Sequence, residues 1–158
     1  MSGNSNACFF AGCSATNSSV KKENSTSYTA KAGKATALDF KKETSNILTN
    51  RFSYQIVRTE ETTDQIYFET NWQYRVPFED EKILGIADAR SRIKVNARPR
   101  IKFRQEEPWP VTVICDNEVR LQNSQAWIEM PLTDMTMEYF RSIVRELRIE
   151  YDMGIRVY

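Results

Sequence analysis

The spacing of apolar residues changes period along the chain, and each change predicts an element. In "TALDFKKETSNILTNRF" (residues 36–52), Leu38, Lys41, Lys42, Ser45 and Leu48 share one helical face that is apolar only at its ends, so a short helix is expected there. The period then drops to two. In "RFSYQIVR", Phe52, Tyr54 and Ile56 alternate with Ser53 and Gln55. After the polar "TEETTD" comes "QIYFETNWQYRVP". Its alternation sends Ile66, Phe68, Trp72, Tyr74 and Val76 to one side and Tyr67, Glu69, Asn71, Gln73 and Arg75 to the other. Alternation of that length marks half-buried antiparallel strands, and the two runs predict a hairpin.

After "FEDEKILG", the stretch "IADARSRIKVNARPRIKFR" alternates again. Ala87, Ala89, Ile93, Val95, Ala97, Ile101 and Phe103 form one face, opposite Arg90, Arg92, Lys94, Arg98, Arg100 and Lys102. Pro99 cannot donate a ladder hydrogen bond, which predicts an edge position or a break. "VTVIC" and "VRLQNSQAWIEM" read as two more strands, with Asp116-Asn117 as the turn between them. From Thr133 the period becomes 3.6. Met137, Phe140, Ile143, Val144 and Leu147 make a stripe, with Thr133 or Asp134 placed to cap it and Gly154 beyond its end. "GIRVY" could add a last short strand. The expected fold class is α+β: an antiparallel sheet of about five or six strands over residues 35–158, packed by one long C-terminal helix. Residues 1–34 read as a signal remnant and a disordered polar tail, since "SATNSSVKKENSTS" has too little apolar surface to offset the cost of ordering.

Composition narrows the chemistry. Twenty-two basic and twenty-one acidic residues leave a net charge of +1, which favours neither a nucleic-acid protein nor an acidic solvating one. The chain has no histidine, and with it go the commonest general base and the commonest metal ligand. Three cysteines, Cys8, Cys13 and Cys115, form neither a C-x-x-C pair nor a disulfide framework. The acidic pairs and triplets at 60–61, 79–81 and 106–107 fall in expected turns, where nothing would shift their pKa values for catalysis. No phosphate loop, dinucleotide fingerprint or calcium loop occurs. The reading is non-enzymatic, with no cofactor, no metal and no small-molecule substrate.

Two local features carry binding chemistry. The first is the basic ladder of Arg90, Arg92, Lys94, Arg98, Arg100 and Lys102. Side chains two apart on a strand lie about 6.6 Å from one another, so an unbroken strand would present a positive stripe to an anionic surface. Its alternative is an ordinary solvated face, paired across strands with residues such as Glu69. The second is Trp109 in "EEPWPV", where flanking prolines would hold the indole in an extended loop as a partner anchor or fold it over the sheet edge. Trp72 and Trp127 read as core.

The stretch "FFAGCSATNSS" resembles a bacterial lipobox: Phe10, Ala11, Gly12 and Cys13 supply the small residues before a cysteine, and a polar tether follows. It departs from the pattern in having Phe10 where Leu is usual and no Lys or Arg in "MSGNSN". The resemblance implies that Cys13 is lipidated and that the domain is membrane-anchored in the bacterial cell envelope, periplasmic or at the surface. With no catalytic constellation, it implies an interaction or assembly subunit whose partners are the membrane and other protein subunits. The alternatives are a cytoplasmic or virion protein, a structural subunit of a virion or secretion-type assembly whose tail orders against neighbours, or an anion-binding module using the basic strand face. In a secreted eukaryotic chain, Asn17 and Asn24 would each head a glycosylation sequon.

Overall fold

A computed structural model describes residues 24–100 and 108–155. Its elements run β1 (Ser27–Ala35), α1 (Ala37–Asn46), a π-helical turn (Ile47–Arg51), β2 (Ile56–Thr62), β3 (Gln65–Thr70), β4 (Gln73–Arg75), α2 (Glu79–Ile83), β5 (Ile86–Ala97), β6 (Trp109–Leu121) and α3 (Asp134–Ile155). The six strands form one antiparallel sheet ordered β1-β6-β5-β3-β2, with β4 also paired to β5. The expected α+β class, antiparallel sheet and long C-terminal helix are all present.

The helices gather on one face. Phe40 of α1 lies between Phe68 of β3 and Tyr151 of α3, with ring centroids 5.3 and 6.2 Å away. The α3 stripe of Phe140, Ile143, Val144, Leu147 and Tyr151 is buried against Ile93, Val95, Val111, Val113 and Cys115 of the central strands. Met137, expected in this stripe, is only half-buried, and Thr136 takes the inward position. Thr133 caps α3, its hydroxyl accepting the Thr136 N–H at 3.3 Å. On α1 the cap is Thr36, which accepts from the Asp39 N–H at 3.1 Å. The buried residues of the α1 region are Phe40, Thr44, Ile47 and Leu48, and Leu38 is exposed.

Four expectations are corrected. The tail to residue 34 is shorter: Ser27–Ala35 is an edge strand registered against β6. Apart from Tyr28, its apolar residues are Ala30, Ala32 and Ala35, too small to signal burial. Gly33 takes φ +88, a conformation that favours glycine, and a Cβ there would meet Asp152 Oδ1 of α3 at an ordinary contact distance of 3.5 Å. Asp116-Asn117 is no turn either, because β6 runs unbroken through it, with Asn117 buried inward and Asp116 ion-paired outward. The loop "FEDEKILG" contains a helix, α2, whose exit turn uses Gly85 at φ +80. Gly154 and Ile155 belong to α3, and the remainder of the expected last strand lies outside the described residues.

The fifth difference positions the candidate site. β3 and β4 both pair with β5, but in registers one residue apart, so a bulge falls at 70–72. There the Thr70 hydroxyl accepts the Ile93 N–H at 2.9 Å, and Asn71 Oδ1 accepts the Trp72 N–H at 2.9 Å, in place of ladder bonds. One extra residue reverses every later side chain. Phe68 and Thr70 face the core, while Trp72 and Tyr74 face outward and Arg75 turns in.

Candidate functional site

Among the described residues no helix covers the outer sheet face, and the basic ladder lies there. Arg90 Nε donates to Glu118 Oε2 at 2.8 Å. Arg92 reaches Asp116 at 2.9 Å and Glu69 at 3.1 Å, and Lys94 reaches Asp116 at 2.7 Å. At the end of β6, Arg120 Nε donates to Asp88 Oδ2 at 3.0 Å. Four cations (Arg90, Arg92, Lys94, Arg120) thus face four carboxylates (Glu69, Asp88, Asp116, Glu118), and this part of the face carries no net charge. Tyr67 donates to Glu69 at 2.9 Å, and burial, that hydrogen bond and the carboxylate charge together push its phenol up to about 12.

The ladder is shorter than a strand-long stripe because β5 ends at Ala97. Arg98 and Arg100 are exposed beyond it, with Arg98 donating to Gln65 at 2.8 Å, and Lys102 lies outside the described residues. Among the described residues the expected positive stripe is therefore not assembled: Arg90, Arg92 and Lys94 are strand-paired, and Arg98 and Arg100 lie beyond the end of β5. Reversing Arg92 and Lys94 to Glu together is expected to lower stability by like-charge contact with Glu69 and Asp116. Wild-type protein should bind generic DNA duplex and anionic vesicles negligibly in 20 mM salt. Tight, salt-sensitive wild-type binding in a fluorescence titration would contradict this pairing.

Aromatic rings thread the same face. The Arg90 guanidinium lies 4.8 Å from the Trp72 ring centroid and 4.4 Å from that of Trp127. Arg92 lies 4.7 Å from Trp72, and Tyr74 meets Trp127 edge-on at 5.6 Å. These rings were read as core from sequence. Thr70, a polar residue between Phe68 and Trp72 on the apolar side of the alternation, was the hint of a bulge. Trp109 departs from expectation in the other direction. It begins β6, is only 5% exposed and packs in the core, so it cannot serve as a surface anchor.

Exposed apolar side chains concentrate at the β4–α2 end. Tyr74 is 66% exposed, Val76 75%, Ile83 85% and Leu84 53%. Neighbouring segments are tied to this end: the Met135 N–H donates to Asp80 at 2.9 Å, and the Gln122 N–H donates to the Gly85 carbonyl at 3.1 Å. Met135 and Ile128 are also exposed.

Beneath this surface sits a buried ion pair. Arg75 Nη1 and Nη2 donate to the two Glu81 oxygens at 2.6 and 2.7 Å, and Arg75 also donates to Asn117 at 3.0 Å. Glu81 further accepts from the Phe78 N–H at 2.8 Å and the Thr136 hydroxyl at 2.8 Å. Burial works to raise the Glu81 pKa, but these donors and the Arg75 charge outweigh it and hold the carboxyl below its usual range. Every Glu81 contact is structural, linking β4, α2 and α3.

Among the described residues, no group of three or more Cys, Asp or Glu side chains is arranged to hold a metal ion, and no helix is long and apolar enough to cross a membrane. Cys115 is buried and free; burial, with Asp116 beside it, pushes its thiol up. Cys13 lies outside the described residues. Compared with known proteins, the chain matches no family model and no curated sequence.

Proposed function

We propose that this chain is a non-enzymatic interaction subunit of the bacterial cell envelope, lipid-anchored at Cys13, that docks a protein partner through the β4–α2 end of its sheet. The observation that carries the docking surface is the run of exposed apolar side chains Tyr74, Val76, Ile83 and Leu84 within eleven residues. Soluble surfaces scatter such residues singly, and their concentration beside aromatic-arginine stacks is the composition of a protein interface. The anchor rests on the lipobox-like Phe10–Cys13 and the polar tether after it.

The test has two arms. A photo-crosslinking residue placed at Val76 or Ile83 should yield one discrete adduct in the native host, and one placed at the exposed Lys42 should not. Adding Asp at the other of the two apolar positions should remove the adduct without changing the thermal midpoint. No discrete adduct, or the same adduct from Lys42, ends the docking reading. Independently, the chain with its native upstream region should partition into membranes, and Cys13→Ala should release it. An unmodified Cys13 in intact-mass data from the native host ends the anchor reading.

A further inference from the structure

A second surface lies on the opposite edge of the sheet. β1 is the terminal strand, and no strand pairs with its free edge among the described residues. Its backbone orientation follows from four hydrogen bonds. The Leu132 N–H donates to the Ser25 carbonyl, Arg148 Nη2 donates to the Lys31 carbonyl, and Val119 of β6 exchanges both its bonds with Ile128, which lies where β1 would continue. Backbone groups alternate sides along a strand. Odd-numbered residues of β1 therefore turn N–H and C=O away from β6. The N–H groups of Ser27, Thr29 and Lys31 and the carbonyl of Thr29 form an open row.

α3 runs alongside this row. Tyr28 and Ala30 of β1 face Val144, Arg141, Arg145 and Arg148 of α3 across a groove of about 210 Å³. A second hollow of about 280 Å³ extends it past Tyr28 toward Leu132 and Met137. The wall is basic. Arg141 and Arg145 share a single carboxylate, Glu138, at 3.4 and 3.3 Å. With Arg148, three cations line the groove against Glu138 and Asp152, an excess of one.

Resting on the reading of the chain as an interaction subunit, we propose that this groove accepts an extended acidic segment of a partner protein, which adds to β1 as a seventh strand. The open backbone row supplies ladder hydrogen bonds, and the groove reads alternate side chains. A strand repeats its side chains on one face about every 6.6 Å. Arg141 and Arg145, four residues apart on a helix, are separated by about 6 Å of rise. Carboxylates at alternate positions of the segment match that spacing, and Tyr28 and Val144 provide apolar floor between them. Charge excludes the nearer candidates. The charged residues before position 24 are only Lys21, Lys22 and Glu23, and a second copy would bring its own Arg141 and Arg145 against these.

The probe is a capped octapeptide alternating Asp and Val, titrated by fluorescence anisotropy into the full chain. Binding is expected with a Kd below about 1 mM, and the Lys–Val counterpart should not bind. Arg141→Glu with Arg145→Glu should weaken binding at least tenfold at an unchanged thermal midpoint, since both side chains are half exposed or more. Thr29→Pro is the discriminating variant. It removes an outward N–H, leaves every charge in place, and spares the β6 ladder. It too should cost at least tenfold. No binding of the acidic peptide, or undiminished binding by Thr29→Pro, overturns the proposal; so does full displacement by inorganic polyphosphate without an effect of Thr29→Pro. Dimerisation through β1, lost in Thr29→Pro by ultracentrifugation, would overturn it in favour of a second copy. Each failure leaves the Val76 and Ile83 crosslinks untouched, so the two surfaces stand or fall separately.

Discussion

Replacing Glu81 with Leu should destabilise the domain by about 3–5 kcal/mol, because Arg75 would be left as an uncompensated buried charge. Glu81 is 1% exposed and accepts from Arg75, the Phe78 N–H and Thr136, so the substitution orphans three donors at once. Pairing it with Arg75→Met should recover much of the loss, since removing both ions also removes their desolvation cost. The contribution is pH-dependent. The folded pKa of Glu81 lies below the ordinary carboxylate value, so its stabilisation is fully present above the unfolded pKa, about 4.3. It is lost as pH falls through the folded value. Urea melts of wild type and Glu81→Leu should therefore differ most near neutrality, and the difference should narrow as pH falls below the ordinary carboxylate range through the folded value. A difference under 1 kcal/mol near pH 7, or one that does not change with pH, would contradict the role assigned to the pair.

Leu147→Ala should cost about 2–5 kcal/mol, the range for truncating a buried aliphatic side chain whose surroundings collapse only in part. Leu147 is fully buried in the core shared by α3, α1 and the central strands. Leu38, the other leucine placed on a helix face from sequence, makes the internal comparison. It is 66% exposed, and Leu38→Ala should stay within about 0.5 kcal/mol of wild type. Equal losses at the two positions in chemical denaturation would mean that α3 does not close the core.

Patterns contained within one element were legible in the amino-acid sequence. The stripe of Phe140, Ile143, Val144 and Leu147 predicted α3 and its buried face, since a helix satisfies its own backbone and its period depends on nothing distant. The alternation of Ala89, Ile93, Val95 and Ala97 against Arg90, Arg92 and Lys94 likewise predicted both faces of β5. The acidic partners Glu69 and Asp116 were visible as residues, though Glu69 alone was anticipated as one. The Arg141, Arg145 and Arg148 row was also there to be seen, but its use depends on a strand edge that the sequence did not announce.

What tertiary structure alone decided were matters of register between distant segments. Trp72 and Tyr74 continue the parity of Phe68 in sequence, yet a one-residue bulge held by Thr70 and Asn71 sends them to solvent and brings Arg75 to Glu81. Asp116-Asn117 has turn composition, but on β6 one side chain meets Arg92 and Lys94 while the other meets Arg75, so the strand continues. β1 has alanines where a buried strand would usually declare itself with larger residues, and only its pairing with β6 and its packing against α3 mark it as a strand of the core. Local composition determines which periods are possible. The bulge, the paired charges and the close helix, each formed between residues far apart in the chain, select the face that every side chain takes.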